Sequence, residues 1–193
     1  MDQINTGKLI KTSKIMLLIL RILFVLLILM AIIPWIAPTT DIGKFLLSFQ
    51  GFPAIMNANH KNIDEFMSSI TLLSRTLGFI GSILALLPLL LGTMIMFKIS
   101  KNYINGKVFN LSNAKSYSQL GAIYLISALF LQPVYQIFFS ACATINNPAG
   151  QKVIAFGIDV NNLTAIFFAI ILIAIGQATK LGQKISEEQE LTV

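Results

Sequence analysis

The strongest constraint on this chain is the way its apolar residues are grouped. They fall in four runs, residues 15–36, 71–97, 120–143 and 163–179. The runs are nearly unbroken and do not alternate at a strand or a single-face helical period, which is the pattern of spans in a bilayer. A helix needs about 20 apolar residues to cross the hydrocarbon, with about 17 as the lower end. The chain is 11% charged and 55% hydrophobic, whereas a soluble domain is about one quarter charged. So few charges could not cover a soluble core of this size. The expectation is an all-α membrane protein: one domain, 1–193, built as a bundle of four transmembrane helices. The first run is read as a retained span, because it is too long for a cleaved leader and no small-x-small site follows it.

Sidedness follows from the lysines. The stretch 98–119 carries Lys98, Lys101, Lys107 and Lys115 and no acid. With both termini cytoplasmic, ten of the fourteen basic residues lie on that side, and four (Lys44, Lys61, Arg75, Lys152) lie outside against four acids. The bias of Lys and Arg near span ends therefore sets the topology: a cytoplasmic basic loop at 98–119, a cytoplasmic tail at 180–193 and a long outer loop at 37–70. The formal charge of +6 is distributed beside apolar runs and forms no single patch. It implies contact with anionic lipid at the cytoplasmic face and no direct nucleic-acid partner.

In the outer loop, Asp41 is a candidate cap for a short helix whose Ile42, Phe45, Leu46 and Phe49 share a face by i, i+3, i+4, i+7 spacing. Lys44 and Gln50 would face away. This predicts an amphipathic helix in the interface, ended by Gly51-Phe52-Pro53 and followed by a polar loop through His60, Asp64 and Glu65. Trp35 is expected at the far interface. Gly78 and Ser82 form a small-xxx-small pair that permits close helix approach, and Ala165 and Ala169 form a second small-residue ridge. Pro88 predicts a loosened or kinked second span. Asn105-Gly106 is a turn signal, and Asn110 or Ser112 is a candidate cap for the helix that follows.

Within the spans, the polar residues are few. Arg21 lies about two turns into the first run, where it can snorkel; its insertion cost of about 2.5–3.5 kcal/mol is outweighed by its apolar neighbours at about 0.3–0.6 kcal/mol each. Arg75 can snorkel at the end of the second. Gln132-Pro133-Val134-Tyr135-Gln136 is the most polar intramembrane segment. It reads either as a kinked helix whose amides bond its neighbours or, with Arg21, as the lining of a polar cavity or path. No apolar run contains Asp or Glu, and there is one histidine and one cysteine, Cys142. No His-Glu-x-x-His, P-loop or nucleophile elbow is present, so no catalytic residue, metal or cofactor is expected, and the chain is read as no enzyme.

At Gly106, Lys107, Phe109, Asn113 and Gly121, and at the closing Glu187-Glu188-Gln189-Glu190-Leu191-Thr192-Val193, the chain resembles a bacterial integral-membrane family called domain of unknown function 2975. The resemblance implies a bacterial inner-membrane protein without an established activity, with small helix-turn-helix regulators as companions of some members. The preferred reading is a regulatory or interaction component acting through its cytoplasmic loop and tail. Leu191, Thr192 and Val193 would offer a partner an extended, carboxylate-terminated end. The rivals are a small transporter or channel subunit, with several copies assembled, and an immunity or stress protein against a membrane-active toxin.

Overall fold

A computed structural model describes residues 3–58, 62–68, 70–157 and 160–191. Among these there are eight α-helices, one π-helical turn and no strand: α1 (Gln3–Ile36), α2 (Asp41–Ser48), α3 (Phe52–Ala58), α4 (Ile63–Ser68), α5 (Leu72–Ile104), α6 (Leu111–Ile126), the π-turn Ser127–Leu131, α7 (Gln132–Thr144) and α8 (Val160–Leu191). Four stretches, Gly7–Ile36, Leu72–Ile104, Leu111–Thr144 and Asn162–Glu188, are long and apolar enough to span a membrane. The apolar side chains they leave exposed, such as Leu18, Ile19, Ile22, Phe130 and Phe167, suit lipid as the surrounding solvent. The stretch 98–119 is mostly helix, and only residues 105–110 within it are not. His60 lies outside the described residues.

The chain divides into two compact units. The first holds Met1–Val25, Leu89–Ala128 and Leu163–Val193; the second holds Leu26–Pro88 and Leu129–Asn162.

In the second unit the core is aromatic. Trp35, Phe52 and Phe139 are buried with Leu47, Met56, Phe66, Met67 and Cys142. Phe52 meets Trp35 edge-on at 5.8 Å and Phe139 at 5.3 Å, the geometry that the ring quadrupoles favour. Trp35 therefore does not sit at a lipid interface as its position in the sequence predicts. Its ring lies against Gly78, where an added Cβ would fall 2.0 Å from it, and its N–H donates to Ser82 Oγ at 2.7 Å. The small-xxx-small pair of α5 is the socket for this tryptophan.

The loop between the first two spans is also more ordered than its polarity suggests. Thr40, not Asp41, caps α2, accepting from Gly43 N at 3.2 Å. The expected apolar face is present: Ile42, Phe45 and Phe49 are exposed while Leu47 is buried on the other side, as an interfacial helix requires. Gln50 is buried and donates to Met30 O at 2.9 Å. The part read as a polar loop holds α3 and α4, because Phe52 and Met56 lie one turn apart and Phe66 and Met67 supply a second anchor. Pro53 near the start of α3 suits a helix N-terminus. Lys44 of α2 pairs with Asp64 of α4. The hydrogen bond to Asp64 raises the Lys44 pKa; desolvation, the next largest effect, opposes it, and the charges of Asp64 and Asp41 add to the rise. A raised lysine pKa keeps Lys44 charged at neutral pH, and on the alkaline side the contribution of the pairing is lost as pH rises past the ordinary lysine range.

In the first unit, small residues set the packing. A Cβ on Gly121 would fall 2.6 Å from Ala169 O, and one on Gly176 would fall 2.9 Å from Ala114 O. The backbones of α6 and α8 are thus in close approach, as small residues allow in membranes. Ala169, one of the two alanines of the predicted ridge, is fully buried.

Replacing Gly78 by alanine should displace the Trp35 ring and cost about 1–3 kcal/mol through overpacking. Since Trp35 is the single tryptophan, its fluorescence in detergent should show a lower melting midpoint and altered emission. Unchanged emission and midpoint would refute the socket.

Candidate functional site

The connection between α5 and α6 is built around asparagines. Gly106 takes φ +72°, a conformation that costs glycine nothing, and so reverses the chain. Asn110 then caps α6, accepting from Asn113 N at 2.7 Å. Asn113 is fully buried. Its amide donates to Lys107 O and Val108 O, both at 2.8 Å, and its carbonyl accepts from Asn102 at 2.7 Å. One side chain thereby satisfies two carbonyls of the turn and ties it to the end of α5. Asn110 adds a bond to Lys107 O at 3.0 Å. The hydroxyls of Tyr103 and Tyr117 meet at 2.6 Å, joining the two helices one turn further along. Phe109 is exposed but lies over Gly182 of α8, where an added Cβ would be 3.1 Å from its ring. Four predicted residues, Gly106, Lys107, Phe109 and Asn113, are thus brought together, with Asn113 inside the turn and the Lys107 side chain outside it.

Beside this connection is a recess of about 320 Å³ between α6 and α8. Lys115, Ser118 and Gln119 line it from α6, and Gly176, Gln177 and Lys180 from α8. Its lining holds two lysines, two glutamines and a serine whose hydroxyl donates to Ala114 O at 3.2 Å, and no carboxylate among the described residues. That donor set suits an anion bearing several oxygens, such as a phosphate. The absence of a side chain at Gly176 opens the space. Lys115 and Lys180 are 65 residues apart in the sequence, so nothing in their spacing announces the pair.

The tail continues α8 as helix through Leu191, the first residue of the end expected to be extended. Glu, Gln and Leu are good helix formers, and Gln183 donates to Glu187 at 2.6 Å one turn on. Thr192 and Val193, like the side chain of Leu191, lie outside the described residues. Past Lys180, the helix exposes Leu181 and Ile185 one turn apart.

Arg21 is exposed on α1 in the first unit. Arg75, half-buried at the start of α5, belongs to the second, as do Gln132, Tyr135 and Gln136. Tyr135 stacks on Phe139 at 5.8 Å. Gln136 accepts from Gly157 N at 2.7 Å, and Gln132 is engaged as well.

Gln136 is the first rung of an arrangement not anticipated from the sequence. Ser140 Oγ accepts from Ala155 N and Thr144 Oγ1 from Val153 N, both at 3.1 Å. The same hydroxyls approach Ala155 O and Val153 O at 3.3 and 3.0 Å, sharing their protons with the helix carbonyls of Ile137 and Ser140. Four helical residues rise about 6.0 Å and two extended residues about 6.6 Å, so polar side chains at i, i+4 and i+8 match alternate residues of an extended segment. That spacing within an apolar helix was the available signal.

The fold and these sites define a multi-pass, all-α membrane protein with four spans. A family described as a protein of unknown function (DUF2975) matches residues 15–193, and the chain belongs to that family. No curated protein and no solved structure matches it.

Substituting Asn113 by alanine leaves Val108 O without its donor and Lys107 O with Asn110 alone, at about 1–3 kcal/mol for the unmatched carbonyl. Aspartate should be no better, because a carboxylate cannot donate. Tryptic cleavage after Lys107 in the solubilised protein should accelerate about tenfold for each 1.4 kcal/mol of lost closure. Wild-type cleavage rates in both variants would exclude the clip.

Proposed function

We propose that this protein is a non-enzymatic component of the bacterial inner membrane, with both termini cytoplasmic, that couples the membrane to a soluble cytoplasmic regulator. The observation that carries this reading is the combination at one end of the first unit. A carboxylate-free basic recess lies there beside a helical arm whose Leu181 and Ile185 are exposed beyond Lys180. Lys115 and Lys180 suit the phosphate of an anionic lipid headgroup. The arm suits a partner that receives one face of an amphipathic helix in a groove. The same side carries ten of the fourteen basic residues, in keeping with a cytoplasmic location.

The transport reading draws less support, since Tyr135, Gln136 and Gln132 are engaged within the second unit and Arg21 is exposed on α1 of the first. The apolar runs contain no carboxylate for a proton relay, which also favours a role without catalysis.

Two substitutions test the two halves of this reading. Lys115→Gln with Lys180→Gln should weaken retention of anionic lipid by roughly 2 kcal/mol, a factor of about 30, read by native mass spectrometry from nanodiscs of mixed lipid. Leu181→Gln with Ile185→Gln should abolish co-purification of a soluble partner from native membranes while leaving Trp35 fluorescence unchanged. Equal lipid retention, or no partner in wild type, would count against the corresponding half.

A further inference from the structure

We propose that the extended segment 153–157 pairs, antiparallel and about a two-fold axis through Ala155, with the same segment of a second copy of this chain. Backbone groups of an extended chain point alternately to its two sides. Val153, Ala155 and Gly157 direct theirs to Thr144, Ser140 and Gln136 of α7. Ile154 and Phe156 therefore direct theirs to the opposite side, where no described residue meets them. Both side chains are exposed, at 65% and 67%.

Ser140 and Gln136 belong to the stretch Leu111–Thr144, long and apolar enough to span a membrane, and this unpaired edge runs level with the last part of that stretch. Lipid tails cannot hydrogen-bond to it, and open edges facing hydrocarbon do not persist. Its occupant must offer backbone donors and acceptors at the same depth. A second copy does so by construction, since its own edge lies at that depth.

The edge is also self-complementary. Pairing centred on Ala155 sets Ile154 against Phe156 of the second copy and Phe156 against its Ile154. Each pair exchanges two N–H···O=C bonds. The aromatic then faces the β-branched side chain, a favourable cross-strand pair. No charged residue lies within 153–157, and Lys152 is set well apart from its counterpart. Such an isologous contact closes at two copies.

The register predicts its own crosslink. Ala155 would face Ala155 of the second copy as a non-hydrogen-bonded pair, with Cα atoms about 4.5 Å apart, inside the range for a disulfide. In full-length protein carrying Cys142→Ala, Ala155→Cys should form a disulfide-linked dimer in native membranes under mild copper oxidation. Val153→Cys and Gly157→Cys, each about 13 Å from its counterpart in this register, should crosslink at least tenfold less. Ile154→Pro removes a donor on the free edge and none of those facing α7, so adding it should abolish the Ala155→Cys dimer. Equal crosslinking at the three positions, no dimer at Ala155→Cys, a crosslink there to a different protein, or a dimer indifferent to Ile154→Pro would each overturn the proposal.

Discussion

A bilayer offers no water to a backbone N–H or C=O, and most of this structure follows from that constraint. Four long helices satisfy it internally. At several places where the chain departs from the helix, side chains replace the missing partners. At Pro133, which has no N–H and crowds the preceding turn, the helix widens into the π-turn Ser127–Leu131, a recognised way to absorb such a break. Beside α7, the ladder of Gln136, Ser140 and Thr144 supplies the partners that a neighbouring strand would have given.

The two units meet the constraint on close packing differently. In the first, Gly121, Gly176 and Ala169 remove side chains so that backbones approach, because apolar burial gives no driving force between helices in lipid. In the second, the short helices of the first loop enclose an aromatic core around Phe52, more like the interior of a soluble domain. Interfacial α2 accordingly buries one side on that core and shows Ile42, Phe45 and Phe49 on the other.

Much of this was legible from residue types alone. Apolar run length showed the four spans, the asparagine before α6 and the glycine at 106 showed the turn, and the spacing of Ile42, Phe45 and Phe49 showed the amphipathic helix. What was not legible depended on partners distant in sequence. Trp35 looks like an interface anchor until Gly78 and Ser82 are placed against it. Phe52 and Met56 look like loop residues until Trp35 and Phe139 are there to receive them. The helical run of α8 past Lys180 has a local reason in the bond from Gln183 to Glu187 one turn on.

Polar residues in an apolar chain are commonly taken as markers of a pathway, and here most of them have a structural occupation instead. Asn113 closes a turn, Ser82 receives an indole, Gln136, Ser140 and Thr144 carry an extended segment, and Asn146 ties Thr71 and Ser74 at 3.0 and 2.9 Å. Each satisfies groups that lipid would leave bare. Capacity for an external partner is better sought where polar groups remain unmatched: the lysines around Gly176, which meet no carboxylate among the described residues, and the backbone of Ile154 and Phe156, which meets no strand among them. The first suits a charged headgroup and the second an extended chain. Both demands originate in the same low-dielectric surroundings that made the four helices necessary.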